Sequence, residues 1–223
     1  MPTLHLLRVF CGQNGAGGNA LAVFLDGAEV LPEARQGVAA ELGLPETVFV
    51  DDAARGELRI FTPTVELNFA GHPTVGTAWL LRERGFSVSA LRVQAGEAAV
   101  RYEDDAAFVA GRPEWGPPWE FVELGSPAEV EALGGPPDGH DLAGAWAWLD
   151  EDEGVVRSRV FGPRVGVPED EATGSAAVRL CSALGRPLDI RQGRASRIMA
   201  QPLDGGWVEI GGRCVLDAER DHS

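Results

Sequence analysis

The run Arg59-Ile60-Phe61-Thr62-Pro63 returns as Arg159-Val160-Phe161-Gly162-Pro163 about one hundred residues later, and each copy leads through a glycine into a nearly uncharged stretch. In the first copy β-branched and aromatic residues run to Thr62, which suits a strand ending there. Pro73 suits the first turn of a helix opening at Gly71, and Val75 to Leu81 carries no charge before Arg82-Glu83-Arg84 and the stop at Gly85. The second copy passes through Thr173-Gly174-Ser175 into a mostly uncharged helix, Ala176 to Leu184, closed by Gly185. A helix without a polar face needs cover on all sides. The repeat therefore predicts two related halves, each presenting one helix start.

The cover is predicted to be β-structure. Leu4 to Phe10 and Ala20 to Leu25 are strand-like around the glycine-rich turn Cys11 to Gly18, and Leu91 to Tyr102 reads as a hairpin turning at Gly96. Antiparallel strands curling around a buried helix give an α+β fold with barrel-like halves. Arg112 to Pro118, with three prolines, marks the crossover, so the expected halves are 1–112 and 113–223. Gly15-Ala16-Gly17-Gly18-Asn19-Ala20 matches a dinucleotide fingerprint in form, but a strand-like run follows it where a helix is required, so the glycines are taken as turn residues. Further elements are expected at Pro32 to Leu42 and Pro127 to Leu133 (helices), at Ala143 to Leu149 and Val155 to Phe161 (paired strands), and at Trp207 to Ile210 and Arg213 to Leu216 (short strands). The polar tail Asp217 to Ser223 is expected to fray.

Composition narrows the function. A net charge of −15 argues against phosphate-backbone and anionic-membrane partners. All 19 basic residues are Arg, which excludes Schiff-base, pyridoxal-phosphate and P-loop lysines. Cys11, Cys181 and Cys214 are too scattered for a disulfide framework or zinc site, and His5, His72, His140 and His222 show no ligand spacing. The expectation is a soluble cytoplasmic protein with no metal, no cofactor, no signal peptide and no membrane span.

Three polar residues stand where chemistry is expected: Glu46 at the entrance of the apolar run Thr47 to Val50, His72 at the first helix start, and Asp170 just before the second. Each has a plainer reading. Glu46 fits a solvated strand end or, facing a closed cleft, a carboxyl of raised pKa usable as acid and base. His72 fits a packing residue, and Asp170 a helix-start carboxylate favoured by the dipole. Asn19, at the exit of the glycine turn, fits a backbone cap or a ligand contact.

The motifs Gly18-Asn19-Ala20, Glu46-Thr47-Val48-Phe49, Phe61-Thr62-Pro63 with Glu66, Phe69-Ala70-Gly71-His72-Pro73-Thr74, Glu169-Asp170-x-Ala172-Thr173-Gly174-Ser175-Ala176 and Arg191-Gln192-Gly193 occur in this order over nearly the whole chain. Together they resemble the PhzF-like family of phenazine-biosynthesis isomerases. The resemblance implies the diaminopimelate-epimerase fold, with the active site between two similar halves and no cofactor. It also implies Glu46 as the acid/base that moves a proton within a small carboxylate-bearing, amino-substituted substrate. His72 and Asp170 would polarise the substrate, Ser175 and the amides near Gly71 and Gly174 would hold its carboxylate, and Asn19 would line the site. A homodimer fits the family. The related epimerases use paired cysteines at the helix starts, absent here, which favours one-base isomerisation over two-base racemisation. The other readings are an inactive small-molecule-binding homologue and an epimerase using Cys181. Glu171 departs from the family's usual proline, Pro45 precedes the acid/base, and the stretch between about 113 and 155 is shorter than in typical members.

Overall fold

The structure, a computed structural model, describes residues 2–222. In chain order the first part forms β1 (Thr3–Cys11), β2 (Asn19–Phe24), α1 (Pro32–Leu42), β3 (Glu46–Asp52), β4 (Glu57–Phe61), β5 (Glu66–Leu67), α2 (Gly71–Glu83), β6 (Ala90–Val93), β7 (Gly96–Glu103) and β8 (Ala106–Gly111). The second part forms β9 (Glu120–Glu123), α3 (Pro127–Glu131), β10 (Ala143–Asp150), β11 (Val155–Gly162), β12 (Val167–Asp170), α4 (Gly174–Leu184), β13 (Leu188–Gln192), β14 (Ser196–Pro202) and β15 (Val208–Asp221).

The strand pairings repeat. β2 and β3 are parallel, β3 and β4 antiparallel, β4 and β6 parallel, and β6, β7 and β8 antiparallel in turn. The same sequence of senses runs through β9, β10, β11, β13, β14 and β15. In both copies the strand with the Arg-x-Phe-x-Pro signature turns back at its proline onto a short partner, β5 or β12, before the helix begins. An arginine braces each turn: Arg59 pairs with Glu66, and Arg159 with Glu169 at 2.7 Å. The fold is α+β, as the repeat implies, but the sheet is mixed where antiparallel strands were expected, because a helix links the two strands of each parallel pair: β2 and β3, β4 and β6, β9 and β10, β11 and β13.

The two copies close differently. β15 is one 14-residue strand that pairs with β8 along its first part and with β1 along its second. This joins β8 to β1 and closes an eight-stranded ring around α2. The other half runs β15, β14, β13, β11, β10, β9 and stops, so that among the described residues β9 pairs only with β10. Inside the ring, α2 is buried along Gly71 to Ala78 and again at Leu80 and Leu81, packed with Val9, Leu21, Val48 and Val109. Helix α1 lies outside it over a small cluster that includes Phe24, Phe49 and Phe61.

Other expectations change in detail. The strands foreseen at Trp207 to Ile210 and Arg213 to Leu216 are continuous, because Gly211 and Gly212 make room for the Phe108 and Phe10 rings and do not turn the chain. The tail foreseen as frayed from Asp217 is strand to Asp221, with Ser223 outside the described residues. It supplies the partner β1 needs, and it is pinned by Arg8 on Asp217 at 2.8 Å and by Arg84 on Glu219. Helix α3 ends at Glu131, short of Leu133. The fingerprint-like glycines turn into strand β2, not into a helix. Among the described residues no helix is long and apolar enough to cross a membrane.

Candidate active site

The two helix starts meet. A Cβ on Gly71 would fall 2.6 Å from Gly174 Cα, and one on Gly174 would fall 2.7 Å from Gly71 Cα, with Ile210 of β15 beneath both. Only glycine permits this approach. Neither helix receives a side-chain cap, so two sets of first-turn N–H groups and two positive dipole ends converge on one small region.

Around this junction the fold gathers Asn19, Glu46, His72 and Asp170. Asn19 begins β2, Glu46 begins the neighbouring β3, and His72 lies in the first turn of α2. Asp170 ends β12 and reaches across from the other half. Asn19 donates to Asp170 Oδ1 at 2.7 Å and to the Ala172 carbonyl at 3.0 Å, which uses both amide hydrogens. Its amide nitrogen also lies 3.5 Å from His72 Nδ1. His72 Nε2 lies 3.1 Å from Glu46 Oε2, yet the two are misaligned for a hydrogen bond, and both atoms are buried without a partner. Unpaired buried polar atoms are costly, and here two of them face each other.

Burial sets the protonation states. Glu46 retains 16% side-chain exposure, but desolvation, reinforced by the Asp170 charge, pushes its carboxyl well above the usual carboxylate range. Burial lowers His72 to about 3 despite a hydrogen bond to the Ala20 carbonyl. Desolvation raises Asp170 to about 6, opposed by hydrogen bonds from Thr173, Asn19 and the Glu171 amide and aided by the Glu171 charge. At neutral pH the site thus holds a neutral imidazole, an ionised Asp170 and a carboxyl poised to carry a proton.

Sequence motifs without an assigned role supply the supports. Thr173 donates to Asp170 Oδ2 at 2.6 Å. Buried Gln192 donates to the Asp170 carbonyl and to Thr173 Oγ1, both at 2.9 Å, and accepts from the Thr173 amide. Ser175 stands somewhat apart in the first turn of α4. Its Oγ accepts from the Trp119 indole at 2.9 Å, and Gly116 packs directly over its Cβ. Trp119 had no signal in the sequence beyond its place in a proline-rich crossover. Cys181 lies further along α4, fully buried, donating to the Arg186 carbonyl, and burial pushes its thiol up to about 12. Among the described residues no group of three or more His, Cys, Asp or Glu gathers as a metal site would require.

A family model described as phenazine biosynthesis-like protein matches residues 8–118. The trans-2,3-dihydro-3-hydroxyanthranilate isomerase of Pseudomonas fluorescens is 33% identical, with 92% of this chain and 85% of the relative aligned. The alignment runs to 247 positions, more than this chain has, so the relative carries segments absent here. An isomerase of Deinococcus radiodurans is 33% identical over 82% of this chain and 77% of its own. In fold, a PhzC/PhzF protein of Clostridium difficile matches all of both chains at TM-score 0.81 and 21% identity. The architecture is of the diaminopimelate-epimerase type. The chain belongs to the PhzF family of phenazine-biosynthesis-like isomerases.

Proposed function

We propose that this isomerase moves one proton between two carbons of a small, amino-substituted carboxylate, with Glu46 as the single acid/base and without a cofactor. The observation that carries the reading is the pair of unpartnered buried atoms, Glu46 Oε2 and His72 Nε2, 3.1 Å apart beside the joined helix starts. Glu46 rests protonated. It delivers its proton to the receiving carbon, and the resulting carboxylate takes the proton that the donor carbon gives up. Substrate and product then have the same composition, Glu46 is restored, and nothing is oxidised or reduced. Neutral His72 is suited to hydrogen-bond a polar substituent, and ionised Asp170 to orient an amino or hydroxyl group. The uncapped amides at Gly71 and Gly174, with the Ser175 hydroxyl, suit the carboxylate. Helix ends are needed for that task, since the overall charge of −15 repels anions. Asn19 has spent its amide hydrogens on Asp170 and Ala172, so its contribution is to fix Asp170, with its carbonyl oxygen left for substrate. Three buried free thiols fit a cytoplasmic setting.

The test is deuterium incorporation. Wild type and Glu46→Gln are incubated in D2O with trans-2,3-dihydro-3-hydroxyanthranilate and related unsaturated amino carboxylates and followed by NMR. Exchange or isomerisation by the wild type, reduced about 10²- to 10⁴-fold in Glu46→Gln, supports the one-base reading. Saturable binding of the same compounds by both proteins without turnover would replace it with a binding protein that has kept the fold.

A further inference from the structure

Glu171, the residue after Asp170, points away from Asp170's contacts and makes a different set. Its carboxylate accepts from the Ser196 hydroxyl at 2.8 Å and from the Arg194 amide at 3.0 and 3.2 Å. Ser196 Oγ in turn accepts from the Gly18 amide at 2.8 Å, and Gly18 immediately precedes Asn19. The chain of bonds Gly18, Ser196, Glu171 therefore runs parallel to the bond Asn19 to Asp170 and joins the same two pieces of backbone. Packing confirms how tightly the pieces fit. A Cβ on Gly17 would fall 2.7 Å from the Ala195 carbonyl carbon, one on Gly12 would fall 2.6 Å from the Ala195 oxygen, and Gly193 has no room for a side chain beside the Glu171 carboxyl. Glu171 is not in a surface ion pair. In a chain with 19 arginines it has, among the described residues, no cationic partner within 4 Å, and a hydroxyl and an amide satisfy it instead. Ser196 is 1% exposed, so the Ser196 end of the link is shielded from water, while Glu171 is half-buried.

We propose that Glu171 is a positioning residue which, acting through Ser196, clamps the glycine turn bearing Asn19 against the strand end bearing Asp170 and thereby fixes the spacing across the cleft. The proposal rests on the reading of Asp170 as a group that orients substrate. Its role differs from that of Gln192, which braces the Asp170 loop from within its own half, because Glu171 works between halves.

The test uses Glu171→Ala, Ser196→Ala and their combination, with Glu171→Gln as the milder change. Steady-state isomerisation of trans-2,3-dihydro-3-hydroxyanthranilate is expected to show kcat lowered about tenfold or more per folded protein, with KM changed less than about threefold. The double variant should be little worse than either single one, since each breaks the same link. Hydrogen exchange is read alongside by mass spectrometry. Glu171→Ala, which does not touch the glycine turn, should speed exchange in the peptide spanning residues 12–20. Unchanged exchange there, additive effects, or a lowered melting temperature with unchanged kcat would each overturn the proposal. If the wild type turns over none of the compounds, the proposed function fails, and exchange alone decides the clamp.

Discussion

Helices α2 and α4 start alike and are housed differently. Aligned at Gly71 and Gly174, the stripe His72, Gly76, Leu80 of α2 corresponds to Ser175, Arg179, Ala183 of α4. The first stripe is wholly buried, and a Cβ on Gly76 would lie 2.6 Å from both Val9 and Leu21. The second is half-buried at Ser175 and Arg179 and exposed at Ala183. The difference follows from one strand. The ring around α2 includes β1, which closes on β15, whereas the second copy begins with β9, the counterpart of β2, and has no counterpart of β1. The crossover stands in its place: Gly116 covers Ser175, and Pro113 accepts from Arg179 at 3.3 Å. A half without that strand thus stays folded by making the uncovered helix face polar and small, while keeping its buried face of Ala176, Ala177, Val178, Leu180 and Cys181.

Exchanging the stripes gives the largest expected effect. Gly76→Arg places a charged side chain where even a methyl group collides, with no partner in an apolar interior, and should leave no folded protein, a loss of more than about 4 kcal/mol. The reverse change, Arg179→Gly, removes one hydrogen bond at a half-buried position and should cost about 1 kcal/mol, chiefly through helix propensity. Soluble yield and thermal unfolding followed by circular dichroism check both. Comparable losses would mean that α4 is covered as fully as α2.

The stripes also differ at their first residue, a histidine in the closed half and a serine in the open one. Because burial holds His72 at about 3, the unfolded chain takes up a proton below about pH 6.5 that the folded chain refuses. That contribution to stability is present above pH 6.5 and is lost as pH falls toward 3. Asp170, raised to about 6, and Glu46, raised well above the usual carboxylate range, act in the opposite sense, since the folded chain keeps their protons as pH rises. Comparison with His72→Gln isolates the histidine: between pH 7 and 4.5 the wild type should lose about 2.5 kcal/mol more than the variant in urea unfolding. Parallel curves would place His72 in contact with water.

Much of this was legible because the repeat is local. Arg59 to Pro63 and Arg159 to Pro163 each specify a strand, a turn and a helix start within about twenty residues, whereas the contact between Gly71 and Gly174 appears only in the fold. Glu46, His72 and Asp170 stood out by type and position, although their gathering around one point is a tertiary fact. What stayed hidden depends on distant partners. Gly211-Gly212 looked like a break because nothing local shows that Phe108 and Phe10 need that space. The acidic tail looked solvated because its partners, Arg8 and Arg84, lie far from it in the sequence. The Gly18, Ser196, Glu171 link spans nearly the whole chain and carries no motif of its own.

Ala183→Leu should give the smallest effect and the sharpest test. It restores on α4 the residue that α2 carries at Leu80, which is fully buried within the ring. If the second copy retained a compressed form of the missing strand, a leucine here would be overpacked and cost about 1–3 kcal/mol. In the arrangement described, the side chain enters solvent on the open face, alanine and leucine are both good helix formers, and stability should stay within about 0.5 kcal/mol of the wild type. The leucine would also add an apolar group to the exposed face of α4, so the variant should be examined by light scattering over a range of concentrations. A stable variant that begins to self-associate would show that the open face is free in solution. A destabilised monomer would show that the cover over Ser175 and Arg179 extends to Ala183 as well.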